Sequence, residues 1–162
     1  MAADPADPLC QAGGVTSDTL RPPHRSWRLL GLVALGGAIG TGVRAALAAA
    51  FPAVDGISWT VFAINVVGAL CLGVLLGRLA LRGPDEGRRR TVRLFVGTGV
   101  LGGFTTYSTL ADDTARLLDV GRWGAGSGYA LLSVVAGLLA AALGAWLAGR
   151  AGSTRTRTAD PR

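Results

Sequence analysis

The residues best suited to chemistry form one run, Gly102-Gly103-Phe104-Thr105-Thr106-Tyr107-Ser108-Thr109, inside the otherwise uncharged stretch Leu94–Ala111. Glycine pairs followed by paired threonines make a poor helix interior, because glycine is entropically costly and threonine is stiff at its first side-chain torsion. Such a run predicts a helix broken around residues 102–106. A break leaves carbonyls free to hold a cation and N–H groups free to face an anion. A continuous helix also fits the run, with its glycines admitting a neighbour and its hydroxyls bonding back to their own backbone. Two further polar residues stand in apolar company. Asn65 lies midway along Ile57–Gly77 and offers amide donors that a low-dielectric medium must satisfy. Arg44 lies in Trp27–Phe51, placed either to snorkel to an interface or to raise the potential for an anion.

The elements that position these groups are apolar and long. Trp27–Phe51 carries only Arg28 and Arg44, while Ile57–Gly77 and Trp123–Gly149 carry no charge. With 50% hydrophobic and 16% charged residues, the 162-residue chain reads as an all-α membrane protein rather than a soluble domain. Four spans are expected, at about 27–51, 57–77, 91–118 and 123–149, each near the ~20 residues that cross a bilayer. Trp27, Trp59, Trp123 and Trp146 fall near span ends, where amphipathic rings sit at the interface. Glycine-based small-xxx-small pairs, such as Gly36/Gly40, Gly73/Gly77, Gly124/Gly128, Gly137/Ala141 and Gly144/Ala148, are suited to close helix contact. The transmembrane domain is expected at 27–150. Residues 1–26 and 151–162 read as polar, disordered tails.

All 16 basic residues are arginine, and the formal net charge is +6. Such a surplus first suggests nucleic acid or anionic lipid. Counted on alternate sides of the spans, however, thirteen arginines fall on one face, with only Arg116 and Arg122 on the other. The surplus is therefore a topology signal, which places both termini in the cytoplasm of a multi-pass plasma-membrane protein and leaves no need for a nucleic-acid partner. A single histidine, His24, and two distant cysteines, Cys10 and Cys71, supply neither a metal cage nor a catalytic triad, so no enzyme is expected. The uncharged stretches hold no carboxylate, which argues against proton-coupled transport and against a small multidrug exporter.

With these residues in place, the chain resembles the CrcB/Fluc fluoride channel family over about residues 31–150. The resemblance rests on Gly36-Gly37-Ala38-Ile39-Gly40-Thr41-Gly42-Val43-Arg44, on Asn65-Val66-Val67-Gly68, and above all on Gly99-Val100-Leu101-Gly102-Gly103-Phe104-Thr105-Thr106-Tyr107-Ser108-Thr109. It implies passive F⁻ export through narrow pores of an antiparallel dimer, with a structural, untransported Na⁺ at the centre held by the carbonyls of Gly102 and Thr105. It implies a fluoride pore of Asn65, Tyr107, Ser108, Thr109, Thr106 and Arg44, with Tyr129 and Ser133, four apart on one face of span four, extending its polar track. A dehydrated fluoride would exchange its water for hydroxyl, amide and aromatic-edge contacts there.

The departures are informative. Tyr107 stands where the family has the first Phe of Phe-Ser-Thr-Phe, Leu110 stands for the second, and Val61 stands where a Thr is expected. The one-sided arginines oppose insertion in both orientations. The resemblance then implies half of a heterodimer, paired with an oppositely oriented paralogue that supplies the missing ring. A non-conducting structural or regulatory subunit is the alternative.

Overall fold

The structure, a computed structural model, describes residues 27–156, with side chains to Arg150. The N-terminal tail reading, with Cys10 and His24, lies outside the described residues, as does everything beyond Thr156. The described chain is helical, with one isolated two-residue bridge between Val54 and Ile57. Helix α1 spans Trp27–Ala50, α2 Trp59–Ala80 and α3 Gly87–Val92. A π-helical stretch, Arg93–Leu101, continues α3 and ends in the single turn α4, Gly102–Phe104. Helix α5 spans Ser108–Asp119, and α6 spans Trp123–Thr156.

Three helices, α1, α2 and α6 as far as Arg150, are long and apolar enough to cross a membrane. They are apolar around their circumference, as helices facing lipid or one another must be. The stretch expected as a further span is instead divided among α3, the π-helical stretch, α4 and α5. Helix boundaries also differ from expectation, two of them for a visible reason. Helix α2 starts at Trp59 because Ser58 caps it, its hydroxyl accepting from the Val61 N–H at 3.4 Å. Helix α6 continues to Thr156, past the tail boundary expected at 151, since no proline stops it before Pro161.

Packing follows the glycines. A Cβ on Gly36 would meet the Phe95 carbonyl oxygen at 2.6 Å, and one on Gly40 would strike the Val100 carbonyl, so α1 lies backbone to backbone on the π-helical stretch and α4. Helix α2 packs on α6 in the same way, Gly73 against Ala141, Gly77 against Ala145 and Ala148, and Gly144 against Leu70 and Val74. A Cβ on Gly124, Gly128 or Gly137 would meet nothing within 4 Å, so the Gly124/Gly128 pair is open inside the subunit and the Gly137/Ala141 pair packs only through Ala141.

These contacts set direction. Rising numbers on α2 meet rising numbers on α6, and the same holds for α1 against the π-helical stretch, so each pair is parallel. At the far end, the Arg122 Nη1 donates to the Asp55 carbonyl at 2.5 Å, joining the α1–α2 and α5–α6 connections. Between Ala80 and Arg122 the chain therefore travels the height of the bundle. Among the described residues, Arg28, Arg78, Arg82, Arg88, Arg89, Arg90, Arg93 and Arg150 gather toward one end, and Arg116 and Arg122 toward the other.

Candidate functional site

The site is built where helical hydrogen bonding stops. Helix α4 ends at Phe104, and Thr105 is extended (φ −77°, ψ 155°). The Leu101 carbonyl is closed twice by Thr105, through its N–H and its hydroxyl, both at 3.0 Å. Later backbone groups have no next turn to bond to, and a helix end in an apolar medium must find partners elsewhere.

Asn65 supplies them. Its Nδ2 donates to the Thr106 carbonyl at 2.9 Å, and its Oδ1 accepts from the Thr106 N–H at 2.8 Å. The carboxamide is chemically a peptide group, and here it replaces the helical neighbours that Thr106 lacks. Its second amide N–H has no partner among the described residues. Thr41 and Arg44, three apart on one face of α1, hold the Gly103 carbonyl through the Thr41 hydroxyl at 3.3 Å and the Arg44 Nε at 3.2 Å. A guanidinium at the C-terminal end of a helical run also suits its partial negative charge.

The hydroxyls cluster on the other side of Thr106. Its Oγ1 lies 3.1 Å from the Ser108 Oγ and 3.4 Å from the Thr109 Oγ1, and it accepts from the Thr109 N–H at 3.4 Å. The last contact caps the start of α5, as a threonine side chain three residues upstream can. Thr106 is buried, Thr109 half-buried and Ser108 exposed, so the cluster reaches from the interior to the subunit surface. A cavity of about 330 Å³ adjoins it, lined by Asn65, Gly102, Thr105, Thr106, Tyr107 and Leu110, among others. The carbonyls of Gly102 and Thr105 accept no hydrogen bond among the described residues. Both residues line that cavity, and a carbonyl oxygen is the kind of ligand a hard cation such as Na⁺ takes.

Other expected residues lie apart. The Tyr129 hydroxyl donates to the Ser58 carbonyl at 3.2 Å, and the Ser133 hydroxyl to the Tyr129 carbonyl at 2.7 Å; both side chains are buried and neither lines that cavity. Tyr107 is 78% exposed on the subunit, whereas Leu110 and Val61 are buried in its core at 6% and 2%. Sequence reasoning missed Thr41, although its spacing to Arg44 places it on the same helix face.

A family profile described as CrcB-like protein, Camphor Resistance (CrcB), matches residues 31–145. The chain belongs to the CrcB family. A relative from Leifsonia xyli subsp. xyli (strain CTCB07), named Fluoride-specific ion channel FluC 2, is 53% identical over 134 residues, covering 83% of this chain and 92% of the relative. A Cutibacterium acnes (strain DSM 16379 / KPA171202) protein named Fluoride-specific ion channel FluC 1 is 51% identical over 114 residues, covering 70% and 80%. Another of that name, from Mycobacterium tuberculosis (strain CDC 1551 / Oshkosh), is 40% identical over 119 residues, covering 73% and 88%. The CrcB match runs from within α1 into α6 and takes in the whole Asn65–Thr106 site. The CrcB family is one of ion channels, so the chain is a membrane protein and not an enzyme.

Proposed function

We propose that the chain is a subunit of a fluoride-specific channel that lets F⁻ leave the cell passively and so lowers its cytoplasmic toxicity. The observation that carries this reading is the polar site itself: Asn65, Thr106, Ser108 and Thr109 converge at the end of α4 in an otherwise apolar bundle. The relatives' names supply the ion. Fluoride holds its water tightly, and a hydroxyl and amide track offers replacement donors without a fixed charge that would trap it. Tyr107, exposed on the subunit, offers a ring edge to the same path. Arg44 acts one step back, by holding the Gly103 carbonyl beside it, while Tyr129 and Ser133 bond backbone away from the cavity.

In this reading the pieces from Gly87 to Asp119 form a single interrupted span, the third of four. Support comes from the chain's passage over the height of the bundle and from the parallel pairing of α1 with the π-helical stretch. Na⁺ would be held by the Gly102 and Thr105 carbonyls where two subunits meet, as a structural ion. The subunits are antiparallel, and the partner is an oppositely oriented paralogue, because the arginines gathered at one end favour one direction of insertion. They put both termini in the cytoplasm.

Liposome efflux tests the reading. Vesicles containing the chain and such a partner are expected to release F⁻ and retain Cl⁻, and failure of the pair to release F⁻ would reject it. The buried Leu110, where the family has a ring, favours a second reading in which the chain only supports a conducting partner. Substitution of Asn65 in this chain alone then leaves the pair's flux unchanged.

A further inference from the structure

We infer that the end of the bundle where α2 leads into α3 is a binding site for the phosphodiester headgroup of an anionic membrane phospholipid. From Arg78 to Arg93 the chain carries six arginines against Asp85 and Glu86, a surplus of four positive charges in one connection. Part of this charge is organised around a cavity of about 350 Å³. One wall is Leu76, Leu79 and Ala80, from the last turns of an apolar membrane helix; the other carries Arg89, Arg93 and the carboxylate of Asp85.

Both guanidiniums are fixed in place. Gly83 adopts φ +94°, which L side chains rarely adopt, and the turn it makes brings the Pro84 carbonyl to the Arg89 Nη1 at 3.2 Å. Arg93 Nη2 pairs with Asp85 at 2.6 Å, while its Nε is buried with no hydrogen-bond partner among the described residues. The Arg93 side chain is 42% exposed and lines the cavity with Arg89, so a phosphate oxygen entering it meets guanidinium forks, the donors that suit it best. Charged donors beside an apolar wall at the end of a membrane helix match an amphiphile, with its phosphate at the arginines and its acyl chain along Leu76 and Leu79. A free anion would leave the apolar wall without a use, and this decides for the lipid.

Native mass spectrometry of the full chain in an uncharged detergent reads the site. Phosphatidylglycerol is expected to be retained at least about fivefold more than phosphatidylcholine, and the double substitution Arg89→Gln with Arg93→Gln to abolish the preference. Equal retention of the two lipids, or an intact preference in a folded Arg89→Gln variant, would overturn the inference. A third arm adds inorganic phosphate to the unsubstituted chain. Displacement of phosphatidylglycerol by phosphate at equal concentration would reduce the site to an anion site and sink the lipid assignment, whereas continued retention supports it. That comparison holds even if the double variant fails to fold.

Discussion

Asn65 and Thr106 exchange two hydrogen bonds, so the side chain of one residue completes the backbone of the other across forty-one positions of sequence. Charge and shape both matter in this pairing. Asn65→Asp replaces the Nδ2 donor with an oxygen facing the Thr106 carbonyl, and it puts a negative charge beside the proposed anion path. F⁻ efflux is expected to fall by about tenfold or more, since leaving a buried polar group unpaired costs ~1–3 kcal/mol. Electrode traces from liposomes check this, and unchanged flux would remove Asn65 from the path.

Arg44 is expected to act through structure. It lies part-buried and shares the Gly103 carbonyl with Thr41. Arg44→Ala leaves that carbonyl to the hydroxyl alone. A charge-assisted hydrogen bond contributes about 1.5–3 kcal/mol, so thermal unfolding in detergent should shift down measurably. Arg44→Lys should recover only part of the loss, because an ammonium lacks the planar Nε geometry. Full stability in Arg44→Ala would show that the side chain snorkels and contributes nothing here.

The close approach of α1 gives a sharper contrast. Gly36→Ala would put a methyl 2.6 Å from the Phe95 carbonyl oxygen, with backbone on both sides and no flexible side chain to yield. A cost of at least about 1–3 kcal/mol follows from overpacking of this kind. Gly31→Ala, on the same helix with nothing within 4 Å, should be neutral or slightly stabilising. Comparable melting of the two variants would mean that α1 does not pack as described.

The apolar helices were legible in the sequence because membrane insertion demands a long uninterrupted signal, and Trp27, Trp59 and Trp123 mark three helix starts. Ser58 was less visible as a cap, because the apolar pattern already begins at Ile57. Asn65 stood out as a polar residue in apolar surroundings, but its partner did not. The pairing uses the peptide of Thr106 and not its side chain, and a peptide bond looks the same at every position of a sequence. The π-helical geometry of Arg93–Leu101, which packs closely against Gly36 and Gly40, was hidden for a similar reason: it is a pattern of backbone hydrogen bonds, which composition does not report.

Leu110 tests the proposed division of labour between partners. Its side chain is 6% exposed and borders the cavity beside Asn65, so Leu110→Phe adds a ring edge at the cost of overpacking. If the missing ring limits conduction, vesicles holding the variant with its partner should release F⁻ faster than vesicles holding the unsubstituted chain with that partner, even with a lower melting temperature. Slower or equal release in a folded variant would mean that the ring is not the deficiency.

The placement of arginines predicts one orientation in the membrane. Among the described residues, eight gather at the end shared by Trp27 and Arg150, Arg116 and Arg122 lie at the other, and Arg44 lies within α1. Topology follows such asymmetry because arginines near span ends resist translocation, while acidic residues contribute little. Reporter fusions after Arg162 should therefore give a cytoplasmic signal alone, and a reporter inserted at Gly121, in the tight turn between α5 and α6, an outside signal alone. A mixed signal from both fusions would show insertion in both directions, and with it the heterodimer would lose its physical basis, since one sequence could then supply both halves of an antiparallel pair.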